Sequence, residues 1–330
     1  MRKSENEERL DHMEHVITLT MNPSIDISSA VGQVVADRKL RCGPSARGPG
    51  GGGINVSRAI GKLGGTSSAL YPAGGALGEI LDGFMEREGI AYRSIFTEGS
   101  TRENITILEE STGRQFRFGM TGPTLKEEEW RQCLKVLSYL SPKPGYIVAS
   151  GSLPPGVPED FYARVADVAS QLGARLIVDT SGEPLRFALQ AGVYLLKPNV
   201  REMKDLVGHD IGNEFELEDG ARELIGKGGT EAIVVSLGAE GALLVSGNGC
   251  EHVRAPSVPV RSVVGAGDSM VAGIVLGLAR RKELGEAVSF GVAAGAAAVM
   301  SPGTGLCCRG DTERLFRQVV INEHASLKGE

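Results

Sequence analysis

Apolar positions along this chain of 330 residues follow a two-residue period in some stretches and a helical period in others. In HVITLTMNPSIDI, Val16, Thr18 and Thr20 fall on alternate positions, which predicts a first strand. Residues 28–48 alternate weakly and are rich in Gly, Arg and Lys, predicting an exposed hairpin. In GPGGGGINVSRAIGKLGG, a glycine run precedes Ile54, Val56, Ala59, Ile60 and Leu63 at near-helical spacing, closed by Gly64 and Gly65. Residues 91–120 alternate again, with Ile95, Ile105 and Ile107 before the turn-like STGR and Phe116 and Phe118 after it, a second hairpin signal. From residue 125 onward, short apolar runs (YIVASG, RLIVDT, VYLLKPN, EAIVVSLG, GALLVSG) are interspersed with amphipathic helical stretches. The last section, from Gly267 to Pro302, reads as two helices apolar on nearly every face. This order predicts the α/β class, a largely parallel sheet with helices on both faces. The hairpin regions at 28–48 and 91–120 interrupt it and are expected to form a small second sheet over one edge. Residues 1–15 read as a mobile tail, leaving one domain over 16–330.

Composition narrows the function classes. Lys and Arg number 35 against 41 Asp and Glu, a net charge of −6, which argues against a general nucleic-acid binder but leaves room for a local basic pocket. With 41% hydrophobic residues a large core is available, yet no run approaches the roughly 20 apolar residues of a membrane helix. The start, MRKSENEERLDHMEH, lacks the apolar segment of a secretory signal. Cys42, Cys133, Cys250, Cys307 and Cys308 show no zinc-site spacing. A reduced cytoplasmic protein is the expectation.

Four stretches carry candidate chemistry. Gly265-Ala266-Gly267-Asp268 opens an apolar helix, so free N–H groups and the positive helix end would meet an anion there, and Asp268 could take a proton from a hydroxyl nucleophile. An N-cap behind a glycine turn is the ordinary alternative. Gly50 to Gly53 imply close backbone approach to a ligand, and Asn55 suits a sugar hydroxyl; neither a P-loop nor a Rossmann fingerprint is present, and a flexible linker is the alternative. Lys197, Asn199 and Glu202 follow an apolar strand, where open α/β sheets bind ligands. Lys197 could reach a phosphate, and Asn199 and Glu202 a hydrated Mg²⁺; a turn with a solvated charge pair would look the same. Ser236 and Gly238 also follow a strand and could shape a nucleotide pocket. Lys39, Arg41 and Arg102 in the hairpin regions are either a phosphate clamp or charges guarding an edge strand.

Together these motifs resemble the PfkB, or ribokinase-like, sugar kinase family. Gly52-Gly53-Ile54-Asn55-Val56-Ser57 with Gly64 and Gly74 matches one family signature, and Ser262-Val-Val-Gly-Ala-Gly-Asp268 with Ala272-Gly273 the other. GSLPPG at 151–156 is similar to the phosphosugar branch, and the whole chain looks most like its minor 6-phosphofructokinases. The resemblance implies a three-layer αβα sandwich with a mostly parallel central sheet and a β lid, commonly used for dimerisation. It implies ATP-dependent phosphorylation of fructose 6-phosphate to fructose 1,6-bisphosphate, with tagatose-6-phosphate kinase or 1-phosphofructokinase as rival activities and a non-catalytic phosphosugar-binding regulator as the rival class. By the same resemblance Asp26, Gly51, Gly52, Asn55 and Ser152 contact the sugar. Lys39, Arg41 and Arg102 bind its phosphate. Lys197, Asn199, Glu202, Ser236, Gly238 and Gly241 line the site for ATP and Mg²⁺. Asp268 is the base beside the Gly265, Ala266 and Gly267 amides. K⁺ is held by backbone oxygens near Ser262, Val264, Ala298 and Gly303. Val263 and Gly305 depart from the common Thr and Arg of relatives.

Overall fold

The computed structural model describes residues 13–303 and 305–323. The first third of the chain holds β1 (Val16–Leu19), β2 (Ser24–Val31), β3 (Ala46–Gly50), α1 (Gly52–Lys62), β4 (Ser68–Ala73), α2 (Gly75–Arg87), β5 (Ala91–Phe96), β6 (Arg102–Glu109) and β7 (Gln115–Gly119). Then follow α3 (Glu127–Ser138), β8 (Tyr146–Ser150), α4 (Phe161–Leu172), β9 (Arg175–Asp179), α5 (Glu183–Ala191), β10 (Val193–Leu196), α6 (Val200–Val207), α7 (Glu214–Gly226) and β11 (Thr230–Ser236). The chain closes with β12 (Ala242–Ser246), β13 (Gly249–Arg254), α8 (Ala266–Ala279), α9 (Leu284–Val299), α10 (Arg309–Phe316) and β14 (Val320–Glu323).

Ten strands form one sheet in the order β14-β13-β12-β11-β10-β9-β8-β1-β4-β5. From β5 to β11 neighbours run parallel, and β12 to β14 pair antiparallel at the far side. Alternation along each strand splits the core in two. Val16, Val148, Ile177 and Val234 pack beneath α1, α8, α9 and α10, while Ile17, Leu19, Ile147 and Val178 face α3, α4 and α5. A further group around Met203, Leu217 and Val235 seats α6 and α7. The result is the three-layer, mostly parallel arrangement expected.

A four-stranded sheet in the order β3-β2-β6-β7 stands apart from the large one. β2 pairs antiparallel with β3 and parallel with β6, which pairs antiparallel with β7. Two expectations are corrected here. The range 91–120 does not contribute only lid strands, because β5 pairs with β4 and edges the large sheet; its Ile95 is buried in the core beside β1 and β4, which draws the strand inward. The proposed tail at 1–15 also ends sooner. The Glu14 N–H donates to the Ala279 carbonyl at 3.1 Å, and the His15 carbonyl accepts from Gly145 N–H at 2.9 Å, fixing those residues to the domain. Residues 1–12 lie outside the described residues.

No helix among the described residues is long and apolar enough to cross a membrane.

Candidate active site

The C-terminal ends of β8 and β9, the start of α1 and the start of α8 converge on a cavity of about 290 Å³, lined in part by Gly52, Ser150, Ser152, Asp179, Glu202 and Asp268. Asp268 reaches it because of how α8 begins. Gly265, at φ 75°, takes the left-handed turn that precedes the first helical residue. The first helical bond, Ser269 N–H to the Gly265 carbonyl, spans 2.9 Å. Apart from its opening turn α8 is buried, and it lies against α9 at small residues: a side-chain carbon on Gly273 would come within 2.7 Å of the Gly291 Cα. A helix with no polar face is thus driven into the core with its positive end aimed at the cavity.

α1 brings Asn55 to the same place. Gly51, at φ 112°, turns the chain out of β3, and Thr20 Oγ1 accepts the Ile54 N–H at 2.8 Å, anchoring the first turn to the end of β1. Gly52 and Gly53 lie directly against Ser150 and Leu19, so no side chain fits between the glycine run and the sheet. Asn55 Nδ2 donates to Asp268 Oδ2 at 2.9 Å, and its Oδ1 accepts from Arg58 at 3.2 Å. Burial pushes the Asp268 carboxyl up to about 6, and the negative charge of Asp179 adds to this; the Asn55 hydrogen bond and Lys197 work against it. A carboxylate in that range exchanges protons near neutral pH.

Of the residues expected to contact the phosphosugar, Asp26 and Arg102 fall on one face of the lid, and Ser152 follows β8 of the large sheet. Asp26 Oδ1 accepts from Ser24 Oγ at 2.7 Å and from Asn104 Nδ2 at 3.1 Å, and Asp26 lies beside Gly50. Ser152 accepts from Asn22 Nδ2 at 3.3 Å. Arg102 is half-buried, and its guanidinium donates to the Asn22 carbonyl at 3.0 Å and the Met120 carbonyl at 2.8 Å. Lys39 and Arg41 do not join it. They sit in the exposed loop between β2 and β3, outside the lining of the cavity, rather than on hairpin strands. Three like charges gain nothing by gathering without an anion between them.

Among the residues expected to line the nucleotide site, Lys197 is 6% exposed and its ammonium lies 3.1 Å from Asp179. Burial opposes its charge, but the Asp179 carboxylate outweighs that and holds the pKa above the usual lysine range. Asn199 caps α6: its Oδ1 accepts Glu202 N–H at 3.0 Å while Glu202 Oε2 accepts Asn199 N–H at 2.9 Å. Burial raises the Glu202 carboxyl. A bridge pairs Asn199 with Ser236, so the two predicted segments are neighbours. Gly238 and Gly241 bound the single turn after β11, where Gly241 packs on the Val253 carbonyl. Ser262 Oγ donates to the Gly303 carbonyl at 2.6 Å and accepts Val264 N–H at 3.2 Å, and Ser301 N–H donates to the Ala298 carbonyl at 2.9 Å. These contacts join the 262–264 and 298–303 segments. Val263 is 62% exposed beside them.

Sequence reasoning missed Asp179, Ser24, Asn104 and Arg58. The position of Asp179 at the C-terminal end of an apolar strand is a usable signal; Asn104 meets the site only through the lid register, and Ser24 and Arg58 sit close to Asp26 and Asn55 in sequence but belong to no motif.

The pfkB family carbohydrate kinase pattern matches residues 16–309. The chain belongs to the pfkB family of carbohydrate kinases. It is 46% identical over 303 residues to the ATP-dependent 6-phosphofructokinase isozyme 2 of Mycobacterium tuberculosis, covering 91% of this chain and 88% of that one. Among solved structures it is similar to phosphofructokinase-2 from Escherichia coli in complex with potassium, at 41% identity and a TM-score of 0.89, with 93% of this chain and 99% of that one covered. The same enzyme in complex with fructose-6-phosphate matches at 40% identity and a TM-score of 0.88, over the same shares of both chains. The fold is the ribokinase-like sandwich that the two signatures imply.

Proposed function

We propose that this chain is an ATP-dependent 6-phosphofructokinase, transferring the γ-phosphoryl group of ATP to the free primary hydroxyl of fructose 6-phosphate. The observation that carries this is Asp268, held by Asn55 at the open positive end of α8, at the boundary between a polar lid face and the nucleotide-side segments. Asp268 takes the hydroxyl proton as the oxygen attacks in line, and the Gly265, Ala266, Gly267 and Asp268 amides stabilise charge on the transferring group. Asp26 and Ser152 orient the sugar, with the Gly51 and Gly52 backbone close against it. Arg102 faces the 6-phosphate, and Lys39 and Arg41 come to it as the exposed loop meets the anion. Lys197, Asn199, Ser236, Gly238 and Gly241 flank ATP. The oxygen donors Asp179 and Glu202 suit a hard cation, and no cluster of three or more His, Cys, Asp or Glu forms a closed cage among the described residues. That donor set fits Mg²⁺ held through water by Asn199 and Glu202. Bound there with ATP, the ion neutralises phosphate charge. Backbone oxygens of Ser262, Val264, Ala298 and Gly303 would hold K⁺ beside the helix end. Support for the phosphosugar comes from the named relatives and from the polar inner lid face.

The lid also supports a homodimer. Alternation and register put Ile105, Ile107, Phe116 and Phe118 on the face opposite Asp26 and Asn104, and Phe118 is 50% exposed. A side-by-side kcat/KM panel on fructose 6-phosphate, tagatose 6-phosphate, fructose 1-phosphate and fructose, read by ADP release, tests the activity. Preference for another sugar, or no ADP release with any, overturns the assignment.

A further inference from the structure

The catalytic amide at Asn55 can face two ways, and what fixes it lies one helical turn away. Arg58, on the same helix, donates to Asn55 Oδ1 at 3.2 Å and to the Pro49 carbonyl at 3.1 Å from one nitrogen. Its remaining edge grips Glu88, just beyond α2, through Nε at 2.8 Å and Nη2 at 2.7 Å. The Arg58 side chain is only 13% exposed. A chain of charge-assisted bonds thus runs Glu88, Arg58, Asn55, Asp268.

We propose that Arg58, braced by Glu88, is a positioning residue for phosphoryl transfer: it holds the Asn55 amide so that its NH₂, and not its carbonyl, meets the Asp268 carboxylate. Rotating the amide by half a turn would set Oδ1 against a carboxylate oxygen and NH₂ against a guanidinium, acceptor on acceptor and donor on donor. Without Arg58 only the Asp268 contact resists rotation, and a sugar hydroxyl competes for either end of the amide. Nothing local in the sequence marks the role, because an arginine three residues after Asn55 on an amphipathic helix reads as an ordinary solvated side chain.

The test is a double-mutant cycle on the full-length enzyme with Arg58→Lys and Asn55→Ala, read as kcat at saturating ATP and fructose 6-phosphate. Lysine keeps a charge beside Glu88, but one ammonium cannot fork onto Glu88 and also reach Asn55 Oδ1. Arg58→Lys is expected to lower kcat about tenfold, the lower end for a hydrogen bond to a charged group. KM for ATP and Tm stay near wild type. In the Asn55→Ala background, with no amide left to orient, the same change moves kcat by less than about twofold. The acid limb of the kcat–pH profile also moves to higher pH in Arg58→Lys, since an unbraced Asn55 amide donates less often to Asp268 and that bond favours the ionised form. That carboxylate is faced by Asn55 from α1, Asp179 from the end of β9, Lys197 after β10 and Asp26 from β2, none of which the substitution alters. Wild-type kcat in Arg58→Lys, an unmoved acid limb, or losses that multiply in the double variant overturn the proposal. Should Arg58→Lys fail to fold, Glu88→Gln loosens the same guanidinium and is read on the same cycle. The inference rests on Asp268 as the base, and Asp268→Asn separates the two: an active Asp268→Asn removes the base, whereas an inactive one with multiplying Arg58 losses removes only the positioning role.

Discussion

At the scale of single residues, a carboxylate held near 6 at the end of a buried helix serves two masters. As the proposed base, Asp268 works only when ionised, so kcat should rise as pH rises through about 6 and level off above it. As part of the fold it works the other way. A folded pKa raised from 3.8 to about 6 means that the ionised form is disfavoured in the native state. No penalty exists below the unfolded value; it grows as pH rises between the two and is fully present above about 6. A rise of that size corresponds to a native-state penalty of about 3 kcal/mol. Asp268→Asn should therefore lower kcat by about 10²- to 10⁴-fold while raising Tm at pH 7.5 and leaving it nearly unchanged at pH 4. Near wild-type kcat, or no pH dependence in the Tm difference, would contradict this. Arg102→Ala should raise KM for fructose 6-phosphate about 10- to 150-fold, the equivalent of about 1.5–3 kcal/mol for one charged hydrogen bond. KM for ATP should stay put; equal changes in both would place the phosphate elsewhere.

At the scale of elements, the glycine run and α8 position the chemistry, and both were legible for a physical reason. Four glycines before an amphipathic helix, and GAGD before a wholly apolar one, each combine backbone approach with a helix start inside a few residues. The apolar strands β8 to β12 were legible too, because strands buried on both faces are continuous short runs. β4 and α2 were not: Pro72 interrupts the short apolar run of β4, and α2 starts at a glycine with no capping side chain. The Asp26 contact with Asn104 spans 78 residues of sequence between strands joined only by the lid register, so no local pattern announces it. The close approach of the glycine run can be measured directly. In Gly53→Ala the new carbon would lie 2.6 Å from the Leu19 carbonyl oxygen and from Thr20 Oγ1, neither of which is a flexible chain end. Overpacking of this kind costs about 1–3 kcal/mol, and chemical denaturation should show that loss together with a higher KM for the sugar phosphate. A variant as stable as wild type would mean that α1 shifts freely.

For the whole molecule, the small sheet matters most. Its apolar face is partly open to solvent, with Phe118 exposed at 50%, and apolar patches of that kind mark interfaces. Light scattering should give a dimer, and Phe118→Arg should yield a monomer with reduced kcat/KM for the phosphosugar. A wild-type monomer of full activity would refute the lid interface. Excess EDTA should abolish turnover while leaving Tm of the ligand-free protein unchanged, because no closed cage of protein ligands holds the ion among the described residues.

The contact of Gly273 on Gly291 has a further meaning for how such a molecule changes over generations. Two helix backbones nearly touching leave no space for substitution, so the segment presenting the base is anchored where the interior is densest, while Lys39 and Arg41 ride a surface loop. Backbone amides of α8 should thus be among the slowest to exchange with deuterated solvent, and those of residues 33–45 among the fastest. With the roles proposed above, phosphate affinity can drift in that loop without disturbing the anchored base.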